Sequence, residues 1–440
     1  MLGARLAGAR AAGWAEAAGA EGPLQKAWRR GRRAGARPDG TRAGMTRVIG
    51  MRCRECATDY AVQPTHVCEM CFGPLDVVYD YDAIKSAYRD LLPLEDGVPI
   101  VTLGEGFTPL VHAERLGAEL GLSRLYLKND TMNPTNSFKD RVVSVAISWA
   151  RAHGFETIGC ASTGNLANAV AAYSARAGLE SFVFIPADLE PAKISSTSVF
   201  GPNLIAVRGN YDQVNRLCSQ LVESYPWAFC NINVRPFYAE GSKTLDFETA
   251  EQLGWQVPDE VIIPIASGCQ FVKHHRAWGE LLDLGLAEGD HRPALTGAQA
   301  LGCAPVYNAW REGTDQVMPV KPDTIAKSIA IGNPSDGTYV IRMARETGGV
   351  VEAVGEQEIV DSIKLLARTE GIFTETAGGV TIGVLAKLAR AGRWKGDETI
   401  VAYVTGHGLK TADAVAEPDG TAHRFEIDPT LKSFREVVEV

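Results

Sequence analysis

Four cysteines near the start of the chain have the spacing of metal ligands. They form two pairs, Cys53 with Cys56 and Cys68 with Cys71, each separated by two residues. Each pair lets two thiolates reach one ion from a tight turn, and two turns complete a tetrahedral sulfur shell. Thiolates in this geometry favour zinc, with iron as the alternative metal. The spacing therefore predicts a structural zinc site, although a redox pair or four unrelated thiols stay as alternatives.

A lysine at position 139 has the local sequence of a reactive amine. Ser137 or Asn136 can cap a helix that we expect to run to residue 152, which puts Lys139 in its first turn. The positive end of the helix dipole lowers the pKa of an amine there. An ordinary lysine is neutral in only about one molecule in 2,500 at pH 7, so a lower pKa favours Schiff-base formation or proton abstraction. A solvated lysine paired with Asp140 is the equally weighted alternative.

Three further turns each follow an apolar run and precede a helical pattern. Asn165 offers an amide N–H to a negatively charged oxygen, and backbone N–H groups around Gly268 form a phosphate nest. The Thr405 hydroxyl, flanked by glycine, can hydrogen-bond a ring nitrogen without adding charge. The turns occupy residues 161–165, 266–270 and 404–410.

Each of these turns also has a purely structural interpretation. Asn165 could be an ordinary helix cap, and the Gly268 turn could simply end a strand. His407 could act as a general base, but a hydrogen-bonded turn histidine is commoner. A Gly-rich turn at 375–379 precedes a predicted helix over 380–391 and could border the same cleft.

From about residue 96 the chain alternates between short apolar runs and helical patterns. Continuous apolarity is typical of strands buried on both faces of a parallel sheet. Helical patterns of crossover length, such as 166–177 and 211–223, separate them. The predicted strands are 125–127, 157–161, 181–185, 204–207, 261–265 and 399–404. The fold class is therefore α/β, and its ligands should bind where strands end at the carboxyl edge of a sheet.

Composition excludes several classes of protein. Apolar residues make up 45% and charged residues 22% of 440, and no run of about 18 apolar residues could span a membrane. The net charge is −9, and residues 1–44 carry nine Lys/Arg against three Asp/Glu, so the rest is strongly acidic. An acidic body argues against nucleic-acid binding. Nine cysteines without a secretion signal indicate a reducing, cytoplasmic location.

The first 44 residues are rich in Ala, Gly and Arg and lack a pattern that could form a core. A nucleic-acid arm or a transit peptide would be the functional interpretations, but transit peptides are Ser-rich and this segment has no serine. We expect a disordered tail over 1–46, translated from upstream of a start at Met45 or Met51.

These groups together complement pyridoxal 5′-phosphate (PLP). They comprise a lysine with a lowered pKa, an amide donor, a backbone nest for phosphate and an uncharged hydroxyl. Over residues 47–416 the chain resembles the threonine synthases, in the tryptophan-synthase-β class of PLP enzymes (fold type II). The matching motifs are GEGFTPL at 104–110, SFKDR at 137–141, STGN at 162–165, EGSKT at 240–244 and TGHGLK at 405–410.

The resemblance implies a role for each residue of these turns. Lys139 would be the Schiff-base lysine, Asn165 would contact the 3′-oxygen of the cofactor, and Thr405 would contact its pyridine nitrogen. The phosphate of the cofactor would lie against Ala266, Ser267, Gly268, Cys269 and Gln270. Pairs of C-x-x-C also occur in part of this family.

The contacts of the substrate phosphate vary more within the family. Leu166 stands where many relatives have threonine, and Cys269 where they often have serine or glycine. The candidate substrate-binding residues are Ser162, Thr163, Asn233, Arg235 and Lys243.

The implied reaction converts O-phospho-L-homoserine and water to L-threonine and phosphate. Lys139 would remove the α-proton, and Arg235 would stabilise the departing phosphate by charge-assisted hydrogen bonds. We expect the protein to act on a small-molecule substrate and to form a homodimer. We expect no nucleic-acid or membrane partner. The rivals are a paralogue that carries out β-replacement or dehydration of phosphoserine or threonine, and a zinc-ribbon interaction protein with an inactive body.

The expected architecture is two doubly wound α/β domains preceded by a small four-cysteine module that resembles a zinc ribbon. The expected divisions are 47–82 for the four-cysteine module, 83–147 plus 255–420 for the larger PLP domain, 148–254 for the smaller domain, and 421–440 for a C-terminal segment.

Overall fold

Three β-sheets organise the protein. The computed structural model describes residues 47–437, except for 85–87, 163, 188–190, 210 and 417–425. The expected tail over 1–46 therefore lies outside the described residues.

The first sheet carries the paired cysteines. It is antiparallel, in the order β2-β1-β3, with β1 at Val48–Cys53, β2 at Asp59–Tyr60 and β3 at Leu75–Tyr79. Met51, Val77 and Tyr79 are buried and belong to the main hydrophobic core. The module thus gains its apolar burial by packing on the α/β body, because so short a segment cannot enclose a core of its own.

The second sheet has six strands in the order β12-β11-β10-β13-β5-β4. Its strands pair in parallel, except that β4 runs antiparallel to β5. Every residue of β10 and β13 is buried, as expected for central strands covered by helices on both faces. The bounds are β4 Leu110–His112, β5 Arg124–Asn129, β10 Glu260–Pro264, β11 Ala294–Ala300, β12 Val351–Val354 and β13 Thr399–Val404.

The third sheet is parallel and has four strands in the order β8-β7-β6-β9. Its bounds are β6 Thr157–Ala161, β7 Glu180–Pro186, β8 Asn203–Val207 and β9 Ala228–Phe229.

The helices connect the strands of these sheets. We number them α1 Glu114–Leu120, α2 Lys139–Ala152, α3 Asn165–Ala177, α4 Pro191–Ser198, α5 Tyr211–Ser224, α6 Arg235–Glu240, α7 Thr244–Gln252, α8 Cys269–Asp283, α9 Pro305–Arg311, α10 Gly337–Glu346, α11 Glu356–Glu370, α12 Thr376–Arg390 and α13 Leu431–Val437. No helix in the described part of the chain combines the length and apolarity needed to cross a bilayer.

The six predicted strands are confirmed, with ends that differ by no more than two residues. Of the two predicted caps of α2, Ser137 Oγ accepts a hydrogen bond from Lys139 N at 3.4 Å, whereas Asn136 has a left-handed backbone with φ of 61°. Another local prediction is wrong. Residues 376–379 form the first turn of α12 and not a turn before it, so the glycines there lie in a helix.

One expected domain division also needs correction. The division between residues 147 and 148 falls inside α2, which continues without a break to Ala152. The expected division therefore cuts a continuous helix, and the assignment of domains stays a prediction.

Candidate active site

The segments that follow β5, β6, β10 and β13 converge at the carboxyl ends of the strands. The loop after β13 lies between two other segments and is bonded to both through backbone groups. Phe138 N donates to Thr405 O at 2.8 Å, and Glu375 N donates to Gly406 O at 2.9 Å. This loop therefore fixes the start of α2 and the start of α12 relative to each other.

Lys139 is the first residue of α2 and lies deep in the resulting cleft. Its Nζ is 5.2 Å from the centre of the Phe138 ring, and protein atoms surround it densely although part of the side chain reaches solvent. Burial lowers the pKa of the Lys139 amine, and the nearby Cys269 and Glu375 partly oppose this effect. The pKa of Lys139 is thus lowered, as predicted, but the cause is desolvation by burial and not the helix dipole.

Asp140 does not pair with Lys139 as the alternative interpretation required. Its carboxylate accepts hydrogen bonds from Thr135 N at 2.7 Å and from Thr135 Oγ1 at 2.5 Å. Burial raises the pKa of Asp140 to about 6, while the bonds from Thr135 pull it down. Asp140 therefore stabilises the loop before α2, and its carboxylate is bonded to Thr135 and not to Lys139.

Asn165 reaches across the cleft to Glu375. Its Nδ2 is 2.8 Å from Oε1 and 3.1 Å from Oε2 of that carboxylate. Gly164, not Asn165, is the N-cap of α3, so the capping alternative for this side chain is wrong. Burial raises the pKa of Glu375, and the bond from Asn165 and the charges of Lys410 and Lys139 oppose the increase.

Glu375 is a site residue that the sequence indicated only as part of a turn beside the cleft. A Cβ placed on Gly406 would lie 2.4 Å from Glu375 Oε1, so the glycine is needed to let the carboxylate approach the loop. No regular spacing links Glu375 to Asn165 or Lys139, and the sequence therefore carries no signal for this contact.

The turn at 266–270 has the backbone geometry of an anion-binding nest. Gly268 has φ of 88° and is the N-cap of α8, whose first N–H groups have no partner inside the helix. Among the described residues, the buried Gln270 Nε2 also has no hydrogen-bond partner. A phosphate group could accept hydrogen bonds both from this donor and from the N–H groups at the helix N-terminus.

Thr405 and His407 differ in their surroundings. Thr405 is buried directly after β13, with its backbone oxygen bonded to the segment that carries Lys139. His407 Nδ1 accepts a hydrogen bond from Leu409 N at 3.1 Å. The structural interpretation of His407 as a turn histidine is therefore confirmed.

Two of the predicted substrate contacts belong to the turn after β6. Ser162 Oγ accepts hydrogen bonds from Gly164 N at 3.3 Å and from Ala167 N at 3.2 Å, which shapes the start of α3. Thr163 lies outside the described residues.

Two other predicted substrate contacts are corrected by the structure, because their polar groups are already bonded. Asn233 Oδ1 accepts from Phe229 N at 2.7 Å, and its Nδ2 donates to Trp227 O at 3.0 Å. Lys243 is fully buried, and its Nζ lies 2.7 Å from both Glu240 and Glu280. Both side chains therefore hold the fold together.

Arg235 begins α6 and lies beside Cys269 of the nest. Its Nη2 donates to Ser335 Oγ at 2.9 Å and forms an ion pair with Asp336. The side chain keeps 21% of its surface exposed, so it is still accessible to a small anion.

The four cysteines of the two pairs come together as predicted. Their sulfur atoms all lie within 4.8 Å of one another. Cys53 Sγ is 3.4 Å from Cys71 Sγ, and Cys56 Sγ is 3.5 Å from Cys68 Sγ. This cluster could hold a metal ion with all four thiolates as ligands.

Comparison with known proteins decides the family of this chain. The pyridoxal-phosphate dependent enzyme family matches residues 101–406, which include Lys139, the nest and Thr405. The chain belongs to this family. The PLP-enzyme resemblance and fold type II expected from the motifs are thereby confirmed, and the chain is a PLP-dependent enzyme.

Its relatives match over nearly their whole length. The threonine synthase of Methanocaldococcus jannaschii is 38% identical over 395 residues, which cover 86% of this chain and 96% of that protein. The threonine synthase of Methanosarcina acetivorans is 35% identical over 404 residues, covering 88% and 98%.

Solved structures with the same fold are more distant in sequence. A processed threonine deaminase from Solanum lycopersicum aligns with a TM-score of 0.58 at 21% identity, over 70% of this chain and 80% of that one. A maize serine racemase aligns with a TM-score of 0.59 at 18% identity, over 70% and 89%. They establish the fold alone.

Proposed function

We propose that this protein is a threonine synthase, which converts O-phospho-L-homoserine and water to L-threonine and phosphate with PLP as cofactor. The observation that carries the proposal is the match to threonine synthases over 96–98% of their length. The site geometry supports it, since a buried amine and an anion-binding turn share one cleft.

The residues of the cleft fit PLP. Lys139 would hold the cofactor aldehyde, the 266–270 nest would hold its phosphate, and Asn165 and Thr405 would contact its ring oxygen and ring nitrogen. The unpaired Gln270 Nε2 is a further donor for the phosphate. When bound, the cofactor supplies an electron sink for the bonds at the substrate Cα.

Lys139 is proposed to move the protons of the reaction. Its Nζ has a lowered pKa, so a larger fraction is neutral near pH 7 and able to accept the proton from the substrate Cα. Glu375 has a pKa raised by burial and lies close to Lys139, so it is a second group that can exchange protons near this amine. Thr405 would add a hydrogen bond to the ring nitrogen of the cofactor without adding a charge.

Arg235 is proposed to bind the substrate phosphate. It is the accessible guanidinium beside the nest, and Arg forms bidentate, charge-assisted hydrogen bonds with phosphate. Ser162, which lies in the same turn as Asn165, is proposed as a further contact of the substrate. Asn233 and Lys243 are not proposed to bind the phosphate, because their donors are taken up within the fold.

We also propose that the four-cysteine module binds zinc. The support is a cluster of four sulfur atoms, since four is the number of ligands that a structural zinc ion takes in tetrahedral geometry. Metal analysis of the purified protein should give one zinc per chain, and replacing Cys68 with serine should abolish it. Iron at equal stoichiometry, or no metal in either protein, would contradict zinc as the resident ion.

The remaining proposals concern assembly and location. Nine free cysteines are compatible with a reducing cytoplasm. A homodimer follows from the family resemblance, and sedimentation equilibrium would test it. We propose a division into a larger and a smaller domain, which agrees with the membership of strands in the six-stranded and the four-stranded sheet.

The decisive experiment measures phosphate release and amino-acid products with three substrates side by side. O-phospho-L-homoserine should give L-threonine, whereas phosphoserine and threonine should react far more slowly. Preference for either of the latter would identify a paralogue. Borohydride reduction of the holoenzyme followed by peptide mapping should mark Lys139, and Lys139→Ala should lose the mark and the turnover. Exposed Lys395→Ala is the control.

A further inference from the structure

Arg54 lies between Cys53 and Cys56, yet its side chain leaves the four-cysteine module. Its Nε and Nη2 donate to the two oxygens of Asp76 at 2.9 and 2.8 Å. The remaining nitrogen, Nη1, donates to Asp336 Oδ1 at 2.9 Å, in the α/β body. A planar guanidinium can bridge two carboxylates in this way, whereas the ammonium group of lysine lacks this fork.

Asp336 connects Arg54 to the proposed phosphate-binding residues. Only 2% of its side chain is exposed, and its second oxygen is paired with Arg235. Its backbone N donates to Ser267 O at 2.9 Å. A Cβ on Gly268 would lie 3.0 Å from Asp336 Cβ, so Asp336 packs directly against the nest.

Arg54 and Arg235 both pair with Asp336, and Arg54 is also paired with Asp76. Two guanidinium groups share one carboxylate, so Arg235 is only partly neutralised by Asp336. Without Arg54, the whole charge of Asp336 would act on Arg235. Because Asp336 is buried, this interaction is weakly screened by solvent. The partly neutralised Arg235 lies beside Cys269, where its remaining positive charge would attract a dianionic group.

Further contacts fix the position of Arg54. Its guanidinium lies 4.6 Å from the ring centre of Tyr339, and the Tyr339 hydroxyl is bonded to Glu55 in the same turn. Asp76, the partner of Arg54, also accepts from Lys273 Nζ on α8 at 2.8 Å. The first cysteine pair is thus tied both to α10 and to the helix that begins at the nest.

We infer that Arg54 is a positioning residue for the phosphate group of the substrate, acting through Asp336 on Arg235. The four-cysteine module is then part of the substrate site and not only a stabilising attachment. The ligand class is a phosphate monoester dianion. This inference rests on the proposed function, since it assigns a role to the module in recognising the same phosphorylated substrate.

The test uses the full-length holoenzyme and the variant Arg54→Met. The KM for O-phospho-L-homoserine and the inhibition constant of inorganic phosphate should each rise about tenfold, the scale of one charge-assisted hydrogen bond. The kcat and the affinity for PLP should stay close to wild type. Arg54→Lys, which keeps the charge but not the fork, should give an intermediate rise in both constants.

Arg52→Met is the matched control. Arg52 lies two residues away in the same module, but it is exposed and pairs only with Asp59 among the contacts described. Its removal subtracts the same charge without touching Asp336, and its KM should therefore match that of the wild type.

A third variant tests the path through Asp336. In an Asp336→Asn background, Arg54→Met should change the phosphate inhibition constant less than about threefold, because the carboxylate it acts on is gone. If Arg54→Met leaves KM and the inhibition constant unchanged, or lowers PLP affinity and kcat in parallel, the inference is wrong. If the wild-type enzyme releases no phosphate from O-phospho-L-homoserine, the proposed function fails instead, and phosphate binding by calorimetry still tests Arg54.

Discussion

Asn165 and Glu375 are 210 positions apart in the chain and bonded in the structure, with Asn165 Nδ2 at 2.8 Å from Glu375 Oε1. The pair joins the turn after β6 in the smaller parallel sheet to the start of α12, which covers the larger one. Glu375 is also close enough to Lys139 for each to shift the pKa of the other. The residue proposed to contact the cofactor oxygen and the residue proposed to move protons are thus coupled through one buried carboxyl.

Replacing Glu375 with glutamine tests this coupling. The negative charge of Glu375 raises the pKa of Lys139, so its removal should lower that pKa further. A larger fraction of the amine is then neutral at a given pH, and the pH midpoint for the rate of PLP capture by the apoprotein should move to lower pH. Exposed Glu312→Gln is the control. A midpoint that stays in place or moves upward would show that Glu375 does not act on Lys139.

Gly268→Ala should weaken PLP binding. The left-handed conformation costs an alanine about 1–2 kcal/mol, and its Cβ would also meet Val340 and Asp336 at 2.9–3.0 Å. Gly285→Ala is the matched control, since Gly285 is also left-handed, with φ of 65°, but has no heavy atom within 4 Å of an added Cβ. Equilibrium dialysis should show roughly a tenfold or larger rise in the PLP dissociation constant for the first variant and little change for the second. Equal effects in both variants would show that the nest does not bind the cofactor.

Arg141 of the SFKDR motif should matter for stability. Its buried guanidinium lies 2.7 Å from Asp130 and 2.5 Å from Glu248. Arg141→Met leaves two buried carboxylates short of a partner, and the free energy of unfolding in urea should fall by about 3–5 kcal/mol. Arg368→Ala breaks the exposed pair with Glu119 and should cost below about 1 kcal/mol. A cost for Arg141→Met near that of the control would show that the network adds little.

Asp140 should make stability fall with rising pH. Its pKa in the folded protein is about 6, above the ordinary value of 3.8, so the folded state binds more protons than the unfolded state between these values. The stability that the protonated carboxyl contributes is present below about pH 4 and is lost as pH rises through 6, about 3 kcal/mol in all.

The measurement is the free energy of unfolding at several pH values for the wild type and Asp140→Asn. The variant should lack the decline between about pH 4 and 6, whereas exposed Asp397→Asn should keep it. An Asp140→Asn curve parallel to the wild type would place the pKa of Asp140 near its ordinary value.

The parallel strands could be predicted well because their signal is local. The runs 157–161 and 399–404 are continuously apolar, and both strands were found with those bounds. β11 and β12 have no such local signal, since ALTGAQA and VEAV contain small or charged residues that interrupt the apolar pattern. Their burial comes from neighbouring strands, which a short stretch of sequence does not reveal.

Spacing along the chain was sufficient to predict the cysteine cluster, the place of Lys139 at the start of a helix and the order of the turns around it. Each of these follows from patterns within a few residues and from the common edge at which parallel strands end. Which polar side chains are free to bind a ligand depends instead on the folded protein. Lys243 and Asn233 are bonded inside the fold, whereas Arg54 and Glu375 reach the proposed site. Such long-range pairings depend on distances between elements, and local patterns of residues do not encode them.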